Sequence, residues 1–281
     1  MSVGSPIDYL FERRSVLGML MGAGLLAQSG KSLASPNADR KPQSARDQPG
    51  QNLHDAHVLT FMKLNASSAA ALVPWYYTGR IYAAQEATAP LHWFDFEGSE
   101  IYTVQRTGAT DWTVAGSTLT FFRDRLTGAY LDTFVNPITG LSTAVKPNRL
   151  SSSPDKPTRI SARGMSITET ETIPWKLDLQ SNGGVTWLTT SRYLTKAPQP
   201  WIEVQSMFAP TSQVEDTAIA SASSTFVSTY LAPWLGWMNM QHVPGHMVWH
   251  AAGRKLANLA ELPATYRTRA DGISVEHFQR R

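Results

Sequence analysis

The sequence predicts a mainly β protein, a single curved antiparallel sheet or barrel with short helices at its N- and C-terminal ends. Three observations carry this. From about residue 72 to 230, short runs rich in Thr, Val, Tyr, Phe and Trp alternate with Gly, Pro, Asn and Asp. The breaks are good turns: D-R-L-T-G at 124–128, N-P-I-T-G at 136–140 and S-N-G-G at 181–184. The spacing leaves no room for the helical crossovers that parallel strands require.

Near the N-terminus, residues 11–36 read FERRSVLGMLMGAGLLAQSGKSLASP, a charged start followed by an apolar run and a small-residue cleavage site. Arg13-Arg14 before Ser-Val-Leu resembles a twin-arginine signal, and Ser32-Leu33-Ala34 resembles a processing site. The run from 15 to 26 is far short of the roughly 20 residues of a spanning helix, so no permanent membrane anchor is expected. Residues 1–34 are therefore read as a signal peptide, with the twin-arginine translocase as export partner and the periplasm as destination. Residues 35–52, SPNADRKPQSARDQPGQN, lack aromatic and branched aliphatic side chains and read as a flexible linker. Residues 53–281 form one β-rich domain.

That domain opens on a short helix after Asn52, with Leu53, Ala56, Leu59, Phe61 and Met62 roughly on one side. Strands are predicted at 73–83, 91–106, 118–124, 129–135, 142–145, 160–171, 175–179, 185–194, 201–208 and 220–230. About ten strands is the limit for an open twisted sheet, so this one should curl or close. A C-terminal helix follows Pro263.

Composition narrows the function classes. The formal net charge is +3, one unit of which belongs to residues 1–34. With no local run of Lys or Arg, that excludes an electrostatic footprint for nucleic acid. The absence of Cys suits an oxidising compartment and excludes thiolate metal sites and Cys nucleophiles.

Several phrases fall in a recognisable order: W-Y-Y-T-G-R-I-Y (75–82), F-E-G (96–98), the two turns ending in T-G, P-W-L-G-W-M-N-M (233–240) and H-A-A-G-R-K-L (250–256). From about residue 55 to 278 the chain resembles the domain of unknown function 1838 family of bacterial, often exported, proteins. The resemblance implies no reaction and no set of catalytic residues. It carries one departure, since the loop after P-W-L-G-W-M-N-M holds His242 and His246 where the family pattern tends to acidic and Arg residues.

The densest stretch is 229–255, TYLAPWLGWMNMQHVPGHMVWHAAGRK, with three Trp, three Met and three His and no acidic residue. Its H-x3-H-x3-H spacing would suit zinc on a helix. Pro244-Gly245 breaks that helix, and HMVWHAA reads as a strand with His246, Val248 and His250 on one side and Met247 and Trp249 on the other. Residues four apart in a strand lie about 13 Å apart, so no metal is expected. In HWFDFEG, period two puts Trp93, Asp95 and Glu97 on one face and Phe94 and Phe96 on the other. Asp124 and Asn136 open their turns by bonding their own backbone. Glu169 and Glu171 alternate with Thr as a solvated face. No nucleophile elbow, phosphate loop, zinc-protease or dinucleotide motif is present, and no cofactor is expected.

Two functions follow. The first is an exported, cofactor-independent lyase, isomerase or hydrolase for a small apolar molecule, aromatic or terpenoid. His250 and His246 with Asp95 and Glu97 would supply acid–base chemistry. Trp234, Trp237, Trp249, Met238 and Tyr82 would supply the walls. The second is a periplasmic carrier that holds a hydrophobic ligand in lipocalin fashion.

Overall fold

The computed structural model describes residues 55–86, 88–151, 157–166, 172–173, 177–194, 201–240 and 242–273; the signal peptide and linker expectations lie outside them. A first helix, α1 (Asp55–Asn65), precedes three long strands, β1 (Ala71–Ala84), β2 (Leu91–Arg106) and β3 (Asp111–Asp124). Short strands follow: β4 (Thr133–Val135), β5 (Ser142–Ala144), β6 (Asn148–Ser151), β7 (Thr158–Ser161), β8 (Gly164–Ser166) and β9 (Thr172–Ile173). Then come β10 (Asp178–Asn182), β11 (Val185–Leu194), β12 (Trp201–Pro210), α2 (Thr211–Glu215), β13 (Thr225–Ala232), β14 (His246–Lys255) and α3 (Ala264–Asp271).

Twelve strands form one antiparallel sheet in the order β10-β11-β12-β13-β14-β1-β2-β3-β7-β8-β9, with β6 also on β3, and β4-β5 form a separate hairpin. The predicted β class holds, and the sheet stays open rather than closing into a barrel. Some predicted strands change extent. The run at 160–171 breaks into the β7–β8 hairpin, β3 reaches back to Asp111, and the run at 129–135 shrinks to β4. Residues 167–171 and Trp175 lie outside the described residues.

The turns are built as their residues dictate. Asp124 Oδ1 accepts from the backbone N–H of Leu126 (3.0 Å) and Thr127 (2.7 Å), and Gly128 follows at φ 70°. Asn136 Oδ1 does the same for Ile138 (2.9 Å) and Thr139 (3.3 Å), with Gly140 at φ 69°. These are one loop design used twice, the side-chain oxygen satisfying donors that the turn leaves open. Asn136 is fully buried and also donates from Nδ2 to Met240 Sδ, which ties the β4–β5 hairpin to the Trp-rich stretch.

The two faces of the sheet have different fates. The inner face carries the main core, including Trp75, Phe94, Phe96, Phe122, Phe226 and Trp249, capped by Phe61 and Met62 of α1. Part of the outer face is covered by α3, whose Tyr266 packs with Leu119, Phe121 and Leu256. The Tyr266 hydroxyl accepts from Ser99 N–H (3.0 Å) and donates to Leu119 C=O (2.7 Å), bridging a rung between β2 and β3. Among the described residues, nothing covers the outer face of β12, β13 and β14 in this way; Val204 and Val227 stand 41% and 52% exposed there.

Placement of β14 matters most for function. It inserts between β13 and β1, pairing His250 with Thr229 on one side and with Arg80 on the other. The last strand is thereby set beside the first.

Candidate functional site

Across the outer face, one register line runs Thr229, His250, Arg80, Asp95, Arg123 over β13, β14, β1, β2 and β3. Tyr82 and His92 form the neighbouring pair. The two lines together set Arg80, Tyr82, His92, Asp95, Arg123 and His250 on one face.

His92 and Asp95 meet here because of a β-bulge. The register shifts between Ile81 and Tyr82, so that Ile81 faces Phe94 while Tyr82 faces His92, and Trp93 is the extra residue. In a regular strand, residues three apart point to opposite faces. The bulge reverses the alternation once, so Trp93 and Phe94 both go inward and His92 and Asp95 both go outward. His92 Nε2 lies 2.8 Å from Asp95 Oδ1, with the two side chains 27% and 35% exposed. The expectation that Trp93 shares a face with Asp95 and Glu97 is therefore corrected. Trp93 is buried against Phe134 and stacked on Trp234 with ring centroids 5.6 Å apart.

His250 is exposed, and its Nδ1 lies 3.0 Å from Thr229 Oγ1. The expected pairing of His250 with Glu97 or Asp95 does not form, because each carboxylate is engaged elsewhere. Tyr82 connects the two histidines instead. Its ring lies 5.2 Å from that of His92 and 5.6 Å, edge-on, from that of His250. Each imidazole is oriented through one ring nitrogen. His246 faces the same side but lies four residues along β14, opposite Ala84, and joins neither contact.

Glu97 has a different duty. It is 3% exposed and accepts from Arg123 Nε at 3.0 Å and from the hydroxyls of Tyr76 and Tyr130. Burial, and then the hydrogen bond to Glu97, push the Tyr76 hydroxyl far above its ordinary pKa. The Tyr130 hydroxyl rises for the same two reasons. Burial works against the Arg123 charge, but the bonds and charge of Glu97 outweigh it and raise its pKa. Through these bonds Glu97 ties the sheet to the loop that carries Tyr130. The sequence reading missed Arg123, Tyr76 and Tyr130, since only tertiary pairing brings them to Glu97. It also missed His92, for which the sole local signal is H-W-F-D at the bulge.

The expected binding walls lie on the other side of the sheet. Trp249 is 2% exposed, stacked on Tyr230 at 5.0 Å and packed on Phe96. Trp234 is buried and donates from Nε1 to Val243 C=O at 2.9 Å. Trp237 is half-buried among Phe94, Phe122 and Phe134, and Met238 is buried in the 3-10 turn Gly236–Met238. The strand reading that put Trp249 and His250 on opposite sides holds, so the Trp walls and His250 do not line one site. Tyr82 alone of the predicted wall residues stands with the histidines.

Among the described residues, no three His, Asp or Glu come together as metal ligands would. Lys255 Nζ is buried against the Trp75 ring and donates to the carbonyls of Lys63 (2.7 Å) and Ala66 (3.0 Å). Its pKa is driven well below the usual lysine value by burial. Those bonds tie the end of β14 to the end of α1.

The family described as "Protein of unknown function (DUF1838)" matches over residues 71–274. No curated protein matches this chain. Among solved structures, the crystal structure of Rv2717c from M. tuberculosis is similar over 71% of this chain and 97% of that one, at 10% identity and a TM-score of 0.16. An overlap of that size carries no inference about this protein.

Proposed function

This chain belongs to the DUF1838 family of proteins of unknown function, and we propose that it is an exported, cofactor-independent enzyme working by acid–base chemistry on the outer face of the sheet. The observation that carries this reading is the pair of imidazoles flanking Tyr82, one of them held by a carboxylate. Asp95 orients His92 as the acidic member of a catalytic dyad orients its histidine. His250, held by Thr229, is the second proton-transfer group, and Tyr82 forms the wall between them. Lyase, isomerase and hydrolase reactions can each use such a pair, one group to take a proton and one to return it. The twin-arginine-like start supports export to the periplasm in folded form.

A test needs no prior substrate. Purified protein is incubated with a small-molecule extract, and the losses and gains are followed by mass spectrometry. We expect the wild type to consume particular species that His92→Asn and Asp95→Asn leave untouched. If wild type and both variants give identical profiles, the enzymatic reading is wrong.

A second reading, carriage of an apolar ligand inside the sheet, has its own supporting observation. The indole N–H groups of Trp93, Trp237 and Trp249 are buried without hydrogen-bond partners among the described residues. A ligand with acceptor oxygens would satisfy them. Saturable change of Trp fluorescence by such ligands, with no turnover, favours this reading over the first.

A further inference from the structure

The open part of the outer face holds a groove of about 520 Å³ across β12, β13, β14 and β1. Its chemistry is divided. One cross-strand line through it runs Arg80 on β1, His250 on β14, Thr229 on β13 and Val204 on β12. The adjacent line runs Thr78, Ala252, Val227 and Ser206, so that Ala252, Val227 and Val204 form an apolar patch edged by hydroxyls. Among the described residues, no Asp or Glu lines it.

Arg80 is exposed, and among the described residues it has no ion-pair partner. Its cross-strand neighbour Asp95 is taken by His92 and lies on the side of Arg80 away from the groove. A guanidinium matches a carboxylate in shape, offering two parallel N–H donors. The groove holds one permanent cation, which fits a monoanion better than a phosphate of higher charge.

From this we propose, building on the reading of the outer face as the active site, that the substrate is a small amphiphilic carboxylate. Its head group binds Arg80 beside His250, and its apolar body lies over Ala252, Val227 and Val204. Four strands at about 4.8 Å spacing give the groove a reach of about 14 Å, so the body is of phenylpropyl or medium-chain size. The seating puts the atoms next to the carboxylate closest to His250, where proton transfer at the carbon beside the head group is geometrically favoured.

The test is binding, not turnover. 3-Phenylpropionate, its neutral amide, acetate and inorganic phosphate are titrated into the full mature protein and into Arg80→Gln, with the His250 ring proton followed by NMR. We expect 3-phenylpropionate to bind saturably and at least about tenfold more tightly than the amide, acetate or phosphate. Arg80→Gln should lose about tenfold for the acid and nothing for the amide, as a charge-assisted hydrogen bond predicts. Equal affinity for acid and amide, or unchanged affinity in Arg80→Gln, overturns the assignment. Tighter binding of phosphate than of the acid overturns it as well. Val227→Asp tests the apolar half at a residue 52% exposed, where folding is spared, and should weaken the acid at least tenfold. A protein that shows no turnover yet prefers the acid through Arg80 sustains the carboxylate site and sinks the enzymatic reading.

Discussion

His92 Nε2 and Asp95 Oδ1 stand 2.8 Å apart on the outer face because Trp93 is a bulge between them. Asp95→Asn should lower turnover by about 10²- to 10⁴-fold, the range of a general acid–base contribution. The melting temperature should stay within a few degrees, since the side chain is about a third exposed. A large stability loss with activity per folded molecule unchanged would make the pair structural.

Adjacent residues on β14 should behave oppositely. Trp249→Ala, in the inner core, is expected to cost about 3–5 kcal/mol. His250→Ala, exposed on the other face, should cost no more than about 0.5 kcal/mol while abolishing turnover. Urea unfolding of both variants checks this, and comparable losses would contradict the assignment of faces.

Glu97 is expected to be the most costly carboxylate to neutralise. Glu97→Ala leaves Arg123, Tyr76 and Tyr130 without their common acceptor and should cost about 3–5 kcal/mol. Chemical denaturation at neutral pH measures it. A loss under 1 kcal/mol would mean that water replaces the carboxylate freely.

The same cluster predicts an alkaline signature. The Tyr76 hydroxyl has a raised pKa in the fold, so the unfolded chain releases that proton first, near its ordinary pKa of about 10. Its stabilising contribution is complete below that pH and declines as pH rises toward the folded value. Denaturant midpoints between pH 8 and 11 should fall less steeply in Tyr76→Phe than in wild type. Identical slopes would rule out Tyr76 as a contributor.

Gly79 permits the close approach on which the site rests. A Cβ there would lie 2.0 Å from the His250 carbonyl oxygen and 2.4 Å from the Phe96 ring. Gly79→Ala should therefore break the β1–β14 pairing and cost more than about 4 kcal/mol. A variant that folds with near-wild-type stability would show that the strand can move aside.

Export is tested separately. Arg13-Arg14→Lys-Lys should leave an unprocessed precursor in the cytoplasm, because the paired guanidinium groups are what the translocase receptor reads. Mature periplasmic protein from that variant would refute the twin-arginine assignment.

Local chemistry made much of this fold legible. Antiparallel strands, the two Asx turns at Asp124 and Asn136 and the strand character of 246–251 all follow from residue type and spacing, because each depends on neighbours in the chain. The same alternation rule that identified β14 also required Trp249 and His250 to part. Which side would become core was open, since that depends on what packs against each face: α1 and the aromatic cluster inside, α3 over only part of the outside. The His92–Asp95 contact was hidden for a sharper reason. One inserted residue at Trp93 inverts every side chain beyond it, and a bulge is set by pairing with β1 rather than by H-W-F-D itself. Likewise the meeting of Arg80, His250 and Asp95 depends on β14 entering between β13 and β1, a pairing between residues about 170 apart in the chain. Strand identity is a property of neighbours in sequence; the site is a property of strand order and register, which only the folded sheet decides.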